Sequence, residues 1–264
     1  MRAGFLGAGH IARALAEGWR REAPQASSGI VLSVYDPVPE SARSFAARFD
    51  ARACGSPHDL VGRSEIVIFA MRPADVPAAL AAVAPVIERR ALLSLAAAVP
   101  LDELRAGLPD GACVARLMPN VAAAVGRGVF LLASGTLTAA QLDSVRDLFG
   151  RAGTVVEIAE SLFDQATAIS GCGPGFTALF IEALAQAGVA AGLDEGLARE
   201  LAVAGVAGSA ALVARDGDPV AIRTAVATPG GMTAEGVDVL ENRGLRATLA
   251  AAVAAAVERA RRGR

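Results

Sequence analysis

The chain of 264 residues contains no lysine, so arginine supplies every cationic side chain. A helix lysine acting as general acid is excluded at once. Histidine is nearly as scarce, at two residues, His10 and His58. Three cysteines, Cys54, Cys113 and Cys172, are scattered without paired spacing. The cysteine pattern provides neither a disulfide framework nor a metal cage, and with only His10 and His58 a histidine-based triad or metal site is not expected. No excess of one charge exists, since the formal net charge is −2. Without a basic patch or a charged tail, nucleic acid is not an expected partner. The closing Arg259, Arg261, Arg262 and Arg264 read as a helix end complementing its own dipole. No signal peptide is expected, because the N-terminus reads as a core strand. The most apolar stretch, Leu201 to Ala214, reads as too short to span a bilayer. The expectation is a soluble cytoplasmic protein with no metal and no membrane partner.

What is present begins at the N-terminus. An apolar run over residues 2–6 enters a turn containing Gly7, Gly9 and Ala12, and a helical pattern follows with Ile11, Leu15 and Trp19 at i, i+4 and i+8. Gly7 permits the tight turn, Gly9 lets a pyrophosphate approach the backbone, and Ala12 lets helix and strand lie close. The helix start, from His10 and Ile11, points its free N–H groups and positive dipole end at the phosphates. A second β-branched run, Ile30 to Tyr35, ends at Asp36, where an acid grips a ribose diol. The spacing from the glycines is longer than usual by one extended loop. The competing reading is an ordinary glycine-rich turn.

Strand-like and helix-like runs alternate up to residue 158. The strands read as 65–70, 92–97, 112–118, 129–133 and 154–158, with helices at 74–88, 101–106 and 138–149 and Thr138 as an N-cap. This is the pattern of an α/β fold, a Rossmann-like, mostly parallel sheet covered by helices. Strands then stop. Helical patterns follow at 161–169, 175–192, 194–214, 218–226, 233–242 and 244–262, rich in Ala and Gly on several faces. The expected domains are therefore 1–159, binding a dinucleotide, and 160–264, all helical. A hundred-residue helical domain has limited room to bury so many apolar faces alone, which predicts a homodimer through this half. A self-contained bundle is the alternative.

Four segments break the Ala/Leu background. Arg72 follows a strand and faces the ligand crevice of an open sheet, as a phosphate or ribose contact or as a solvated surface cation. Asn120, also at a strand end, offers both a donor and an acceptor, or is simply a turn residue. Ser170 to Gly175 carries three glycines and a proline and reads as a shaped loop before a long helix. Cys172 within it has no activating partner nearby and reads as a small packing residue. Thr228 to Thr233, with Pro229, Gly230 and Gly231, reads as an anion nest suited to a carboxylate, or as a helix–turn–helix linker capped by Thr233.

Together these segments resemble the pyrroline-5-carboxylate reductase family, in order and over nearly the whole chain. Gly4 to Gly9 with Ala12 is similar to its cofactor turn. Met71, Arg72 and Pro73 resemble its Val-Lys-Pro, Ser94 to Ala98 its Ser-x-Ala-Ala-Gly, and Arg116 to Asn120 its Arg-x-Met-Pro-Asn. The helical half resembles it most specifically, in Asp164 to Pro174, Phe180 to Ala185, Thr228 to Thr233 and Val239 to Arg246. The resemblance implies reduction of the cyclic imine Δ1-pyrroline-5-carboxylate to L-proline by hydride from NADH or NADPH. It implies a Rossmann domain and a helical domain interlocked in a dimer, with dimers often assembled into rings. It places Met71, Arg72, Pro73, Ala97 and Asn120 with Gly7, Gly9, His10, Ile11, Ala12 and Asp36 around the cofactor. It places Thr228, Gly230, Gly231, Met232 and Thr233 around the substrate, with Thr233 at the ring nitrogen as the catalytic contact.

Several positions depart from the family pattern. Cys172 stands for Ser or Thr, Ala122 for a proline, Ala98 for a glycine, His10 for an asparagine, and Met232 for a small residue. None removes a named catalytic group. Asp36 has no Arg or Lys beside it until Arg43, so NADH is favoured over NADPH. The alternatives are a reductase of a related cyclic imine carboxylate, a β-hydroxyacid-type dehydrogenase, which would need the missing lysine, and a non-catalytic NAD-binding protein.

Overall fold

The computed structural model describes residues 1–21 and 29–262. Part of the loop that lengthens the glycine-to-Asp36 spacing, and Arg264 of the arginine cluster, lie outside the described residues.

Eight strands form one sheet in the order β3-β2-β1-β4-β5-β6-β7-β8. They are β1 (Arg2–Leu6), β2 (Val31–Tyr35), β3 (Arg52–Ala53), β4 (Ile66–Phe69), β5 (Ala91–Ser94), β6 (Cys113–Met118), β7 (Gly128–Ala133) and β8 (Gly153–Glu157). All neighbours pair in parallel except β6 with β7. A parallel pair needs a crossover of a dozen or more residues. The segment from Pro119 to Arg127 holds only a 3-10 turn, Val121–Val125, so β7 returns antiparallel. The two-residue β3 carries too short a pattern to be read from sequence.

Helices α1 (His10–Arg21), α2 (Pro39–Phe49), α3 (Pro57–Arg63), α4 (Val76–Val83), α5 (Leu101–Ala106) and α6 (Ala139–Gly150) connect the strands. Central strands are buried on both faces, which is why they read as continuous apolar runs. Alternate side chains feed two cores. Phe5, Ile68 and Leu93 join Trp19, Phe45 and Phe149 on one side, while Val67, Phe69 and Leu92 join Leu60, Val83 and Ile87 on the other. Trp19 stacks on Phe5 with centroids 5.5 Å apart. Gly18 of α1 lies against the 3-10 turn so closely that a Cβ would stand 2.2 Å from the Ala123 carbonyl oxygen. Thr138 caps α6 with a full capping box, exchanging bonds with Gln141.

The helix expected over 74–88 is shorter. A 3-10 turn, Pro73–Asp75, precedes α4, which stops at Val83 because Pro85 has no N–H to extend the ladder. After β8 come α7 (Phe163–Ser170), α8 (Gly173–Ala190), α9 (Glu195–Asp216), α10 (Pro219–Val226), α11 (Met232–Asn242) and α12 (Leu245–Arg262). The loop expected at Ser170 to Gly175 shrinks to Gly171 and Cys172. Gly173, Pro174 and Gly175 form the first turn of α8, where a missing proline N–H costs nothing.

Two compact units result. One is Met1–Cys172 with the end of α12 from Val257, and the other is Gly173–Ala256. The strands end at Glu157, but the first unit continues through α7 because Phe163 is buried in the core that includes Leu101 and Leu131. In the second unit no described residue of α8, α10, α11 or α12 is buried, and Leu179, Leu201 and Val239 stand more than half exposed. The segment read as Leu201 to Ala214 is part of the longer α9. Both Glu160–Ala190 and Glu195–Asp216 are long and apolar enough to cross a membrane by length and composition.

Candidate functional site

The strand order reverses at β1, whose neighbours are β2 and β4. Open α/β sheets bind ligands at the carboxyl ends of the strands at such a switch point. The glycine turn sits there. Gly7 has φ +108°, and a Cβ on it would lie 2.4 Å from the Ala70 carbonyl oxygen at the end of β4. Its N–H donates to the Tyr35 carbonyl at 2.8 Å, so the ends of β1, β2 and β4 converge on one residue that has to be glycine. A Cβ on Gly9 would meet nothing within 4 Å, so its open side faces free space. Ala12 is fully buried beneath the turn, where a larger side chain would push α1 off the sheet. Arg13 Nε donates to the Ala8 carbonyl at 3.1 Å and closes the turn from the helix side.

A cleft of ≈ 840 Å³ opens over this turn. It brings together Gly7, Gly9, His10, Ile11, Asp36, Met71 and Arg72. The Asp36 carboxylate is held by two backbone donors, with Oδ2 accepting from Ala8 and Oδ1 from Val38, each at 2.9 Å. Arg72 pairs with Asp75 at 3.0 Å, and that hydrogen bond and charge push the guanidinium up from its ordinary value. The cleft wall also contains Tyr35, Leu95 and the small face of α4 at Ala78 and Ala82, which sequence reading passed over. Their i, i+4 alanine spacing was the available signal.

The remaining residues expected near a cofactor are not in this wall. Ala12 lies beneath it, Pro73 opens the 3-10 turn, and Ala97 is exposed in the loop after β5. Asn120 is buried, and both ends of its amide are taken by protein. Its Nδ2 donates to the Ser170 carbonyl at 2.9 Å, and its Oδ1 accepts from Val129 N–H at 3.2 Å. It ties the end of α7 to the start of β7.

Glu160, missed by sequence reading, accepts from Arg116 Nη1 at 2.8 Å and from Leu101 N–H at 2.7 Å. Arg116 is 2% exposed and lies over the Phe163 ring at 4.4 Å. The trio fastens the start of α5 and the approach to α7 onto β6. No sequence spacing could have shown this, since the partners lie 44 and 59 residues apart.

In the second unit, Thr228 to Gly231 forms a turn closed by Gly231 N–H donating to the Thr228 carbonyl at 2.9 Å. Pro229 at i+1 and Gly230 at i+2 with φ +74° satisfy a type II turn. Gly231, not Thr233, is the N-cap of α11. A Cβ on Gly231 would lie 2.6 Å from Thr228 Oγ1. Met232 and Thr233 therefore open α11, and helix geometry leaves their N–H groups without intrahelical carbonyls. Met232 is 94% exposed. Below the turn, Glu241 accepts from Arg223 of α10 at 3.0 Å and from Arg246 of α12 at 2.7–3.0 Å. Arg246 above all, then Arg223, holds its carboxyl below the usual carboxylate range.

A doubly wound sheet with a glycine turn at its switch point, followed by a helical unit with few buried side chains, defines a two-part protein of the dinucleotide-binding α/β class. The family model for pyrroline-5-carboxylate reductase dimerisation matches residues 160–263, and that for NADP oxidoreductase, coenzyme F420-dependent, matches residues 2–98. The pyrroline-5-carboxylate reductase of a Synechocystis species is 35% identical over 97% of this chain and 96% of its own. That of Mycobacterium leprae is 36% identical over 97% and 94%. The crystal structure of Plasmodium falciparum pyrroline carboxylate reductase with NADP bound superposes with a TM-score of 0.86, at 29% identity over 98% and 97% of the two chains. The chain belongs to the pyrroline-5-carboxylate reductase family.

Proposed function

We propose that this protein reduces Δ1-pyrroline-5-carboxylate to L-proline with a nicotinamide dinucleotide. The observation that supports this reading best is the switch-point cleft, in a chain matching named reductases end to end. The cleft fits a dinucleotide: Gly9 leaves its approach open, and α1 begins at its wall. Gly9, His10 and Ile11 hold the pyrophosphate, Asp36 the adenosine ribose, and Met71, Arg72, Pro73 and Ala97 the rest of the molecule, over residues 1–159. When bound, the nicotinamide supplies a hydride to the imine carbon.

The substrate carboxylate is held by the N–H groups that open α11, with Thr228, Gly230 and Gly231 shaping the turn and Met232 bordering it. Thr233 contacts the ring nitrogen. That nitrogen arrives protonated, so the reaction needs no acid–base dyad, and catalysis is positioning and electrostatics. Residues 160–264 pair with a second copy of this chain, which covers the exposed apolar side chains of α8, α9 and α11, and pairs assemble further into rings. The protein is a soluble cytoplasmic enzyme.

NADH is the preferred donor. Asp36 is anchored by Ala8 and Val38, which holds its carboxylate in the cleft wall. A 2′-phosphate about 4 Å from it would be disfavoured by about 4 kcal/mol at an effective dielectric of about 20.

The test is steady-state oxidation of NADH and of NADPH with pyrroline-5-carboxylate, with piperideine carboxylate as competitor, alongside light scattering. Turnover with NADH and a dimer or larger species are the expected results. Absence of turnover with both nucleotides sinks the enzymatic reading, a monomer sinks the pairing, and a higher kcat/KM with NADPH sinks the cofactor preference.

A further inference from the structure

His10 is the first residue of α1 and lines the cleft beside Gly9, with its side chain exposed. Among the described residues its side chain makes no hydrogen bond or ion pair. The charged groups at the cleft are already engaged. Asp36 accepts from Ala8 and Val38, Arg72 is paired with Asp75, and Tyr35 ends β2. On α1 itself Arg13 is bonded to the Ala8 carbonyl and Arg20 to the Phe49 carbonyl, and the 3-10 turn Val121–Val125 packed against α1 has no titratable side chain. On α2, which also packs against α1, Arg43 is paired with Glu40 and Arg48 with Glu17 of α1. Imidazole is the group whose charge ordinarily changes between about pH 5 and 8. An imidazolium adds a full positive charge where the α1 N-terminus already favours an anion, whereas the neutral ring offers one donor.

We infer that His10 couples dinucleotide binding to proton uptake, so that affinity for the pyrophosphate falls as pH rises through the physiological range. The inference rests on the reading of the cleft as the dinucleotide site. Its sign follows from linkage: the bound state carries the proton more fully than the free state, so raising the pH favours the free state. If bound pyrophosphate strengthens proton binding at His10 about tenfold, Kd weakens by at most about tenfold across the window.

The test is calorimetric titration of the whole protein with NADH between about pH 6 and about pH 8.5, in two buffers of different ionisation enthalpy. NADH is used because it lacks the titrating 2′-phosphate. The expected result is a Kd that weakens by about five- to tenfold with measurable proton uptake, and a flat profile in His10→Asn, which keeps a donor without a titrating charge. His58→Asn, on α3, serves as a control and should retain the slope. A flat wild-type profile, or an equal slope in His10→Asn, overturns the inference. Failure of the wild type to bind NADH or NADPH at any pH overturns the underlying reading of the cleft instead. Should His10→Asn not fold by circular dichroism, His10→Gln is read in the same way.

Discussion

The backbone N–H of Ala8 donates to Asp36 Oδ2 at 2.9 Å, fastening the tip of β2 to the glycine turn. The carboxylate is thus both a structural acceptor and a fixed negative charge in the cleft. Asp36→Asn keeps an acceptor oxygen and removes the charge. It should raise the NADPH-to-NADH ratio of kcat/KM by about tenfold or more, given the repulsion a carboxylate imposes on a nearby phosphate. It should cost about 1 kcal/mol in stability through the weakened second bond. A ratio that does not move places the 2′ position away from Asp36.

Thr233 follows the N-cap Gly231 by two positions, so its hydroxyl is not used to cap α11. Thr233→Ala should therefore leave the fold intact and lower kcat/KM with pyrroline-5-carboxylate by about 1–3 kcal/mol, a loss of roughly 5- to 150-fold. Steady-state kinetics on a variant of wild-type melting temperature measure this. Unchanged turnover removes Thr233 from the reaction.

Glu241 ties α10, α11 and α12 around the Thr228–Thr233 turn. Its carboxyl is held below the usual range by Arg246 and Arg223, so the native state binds fewer protons there than the unfolded chain. The contribution is present above the unfolded carboxylate value of about 4.3 and is lost as pH falls through the lower folded value. Glu241→Gln should flatten this part of the acid limb of the stability curve, measured by denaturant unfolding against pH. It should also raise KM for the imine more than it lowers kcat, because the turn is loosened while the reacting contacts remain. An acid limb identical to wild type would falsify the assignment.

Ala98 adopts φ +62°, where a Cβ is crowded, at the position where the family pattern carries glycine. Ala98→Gly should relieve that strain and stabilise the protein by about 0.5–1 kcal/mol, the strain relief outweighing the added freedom of the unfolded chain. Thermal unfolding checks the direction, and a lower midpoint contradicts it.

The glycine turn was legible because its demands are local. A positive φ at Gly7 and a bare backbone at Gly9 must be met by those residues whatever the rest of the chain does. Strand and helix alternation was legible for the same reason, through side-chain period. The Thr228–Thr233 turn was also readable, while the competing reading of Thr233 as its cap is not met, since Thr233 and Gly231 are both acceptable at a helix start and only the backbone path selects Gly231. Asn120 illustrates the opposite case. A strand-end asparagine reads as a ligand contact or a turn residue, and its partners at Ser170 and Val129 come from other segments that the sequence does not pair with it.

The amino-acid sequence by itself determined the dinucleotide turn, the change from strands to helices after residue 158, and the family pattern, because backbone conformation and burial period are encoded over a few neighbouring residues. Tertiary structure alone decided that β7 runs antiparallel, that α7 joins the first compact unit, that Glu160 clamps Arg116, and that Asp36 is anchored by Ala8. Each depends on groups brought together from distant parts of the chain, where hydrogen-bond satisfaction and close packing, rather than local propensity, select the partner.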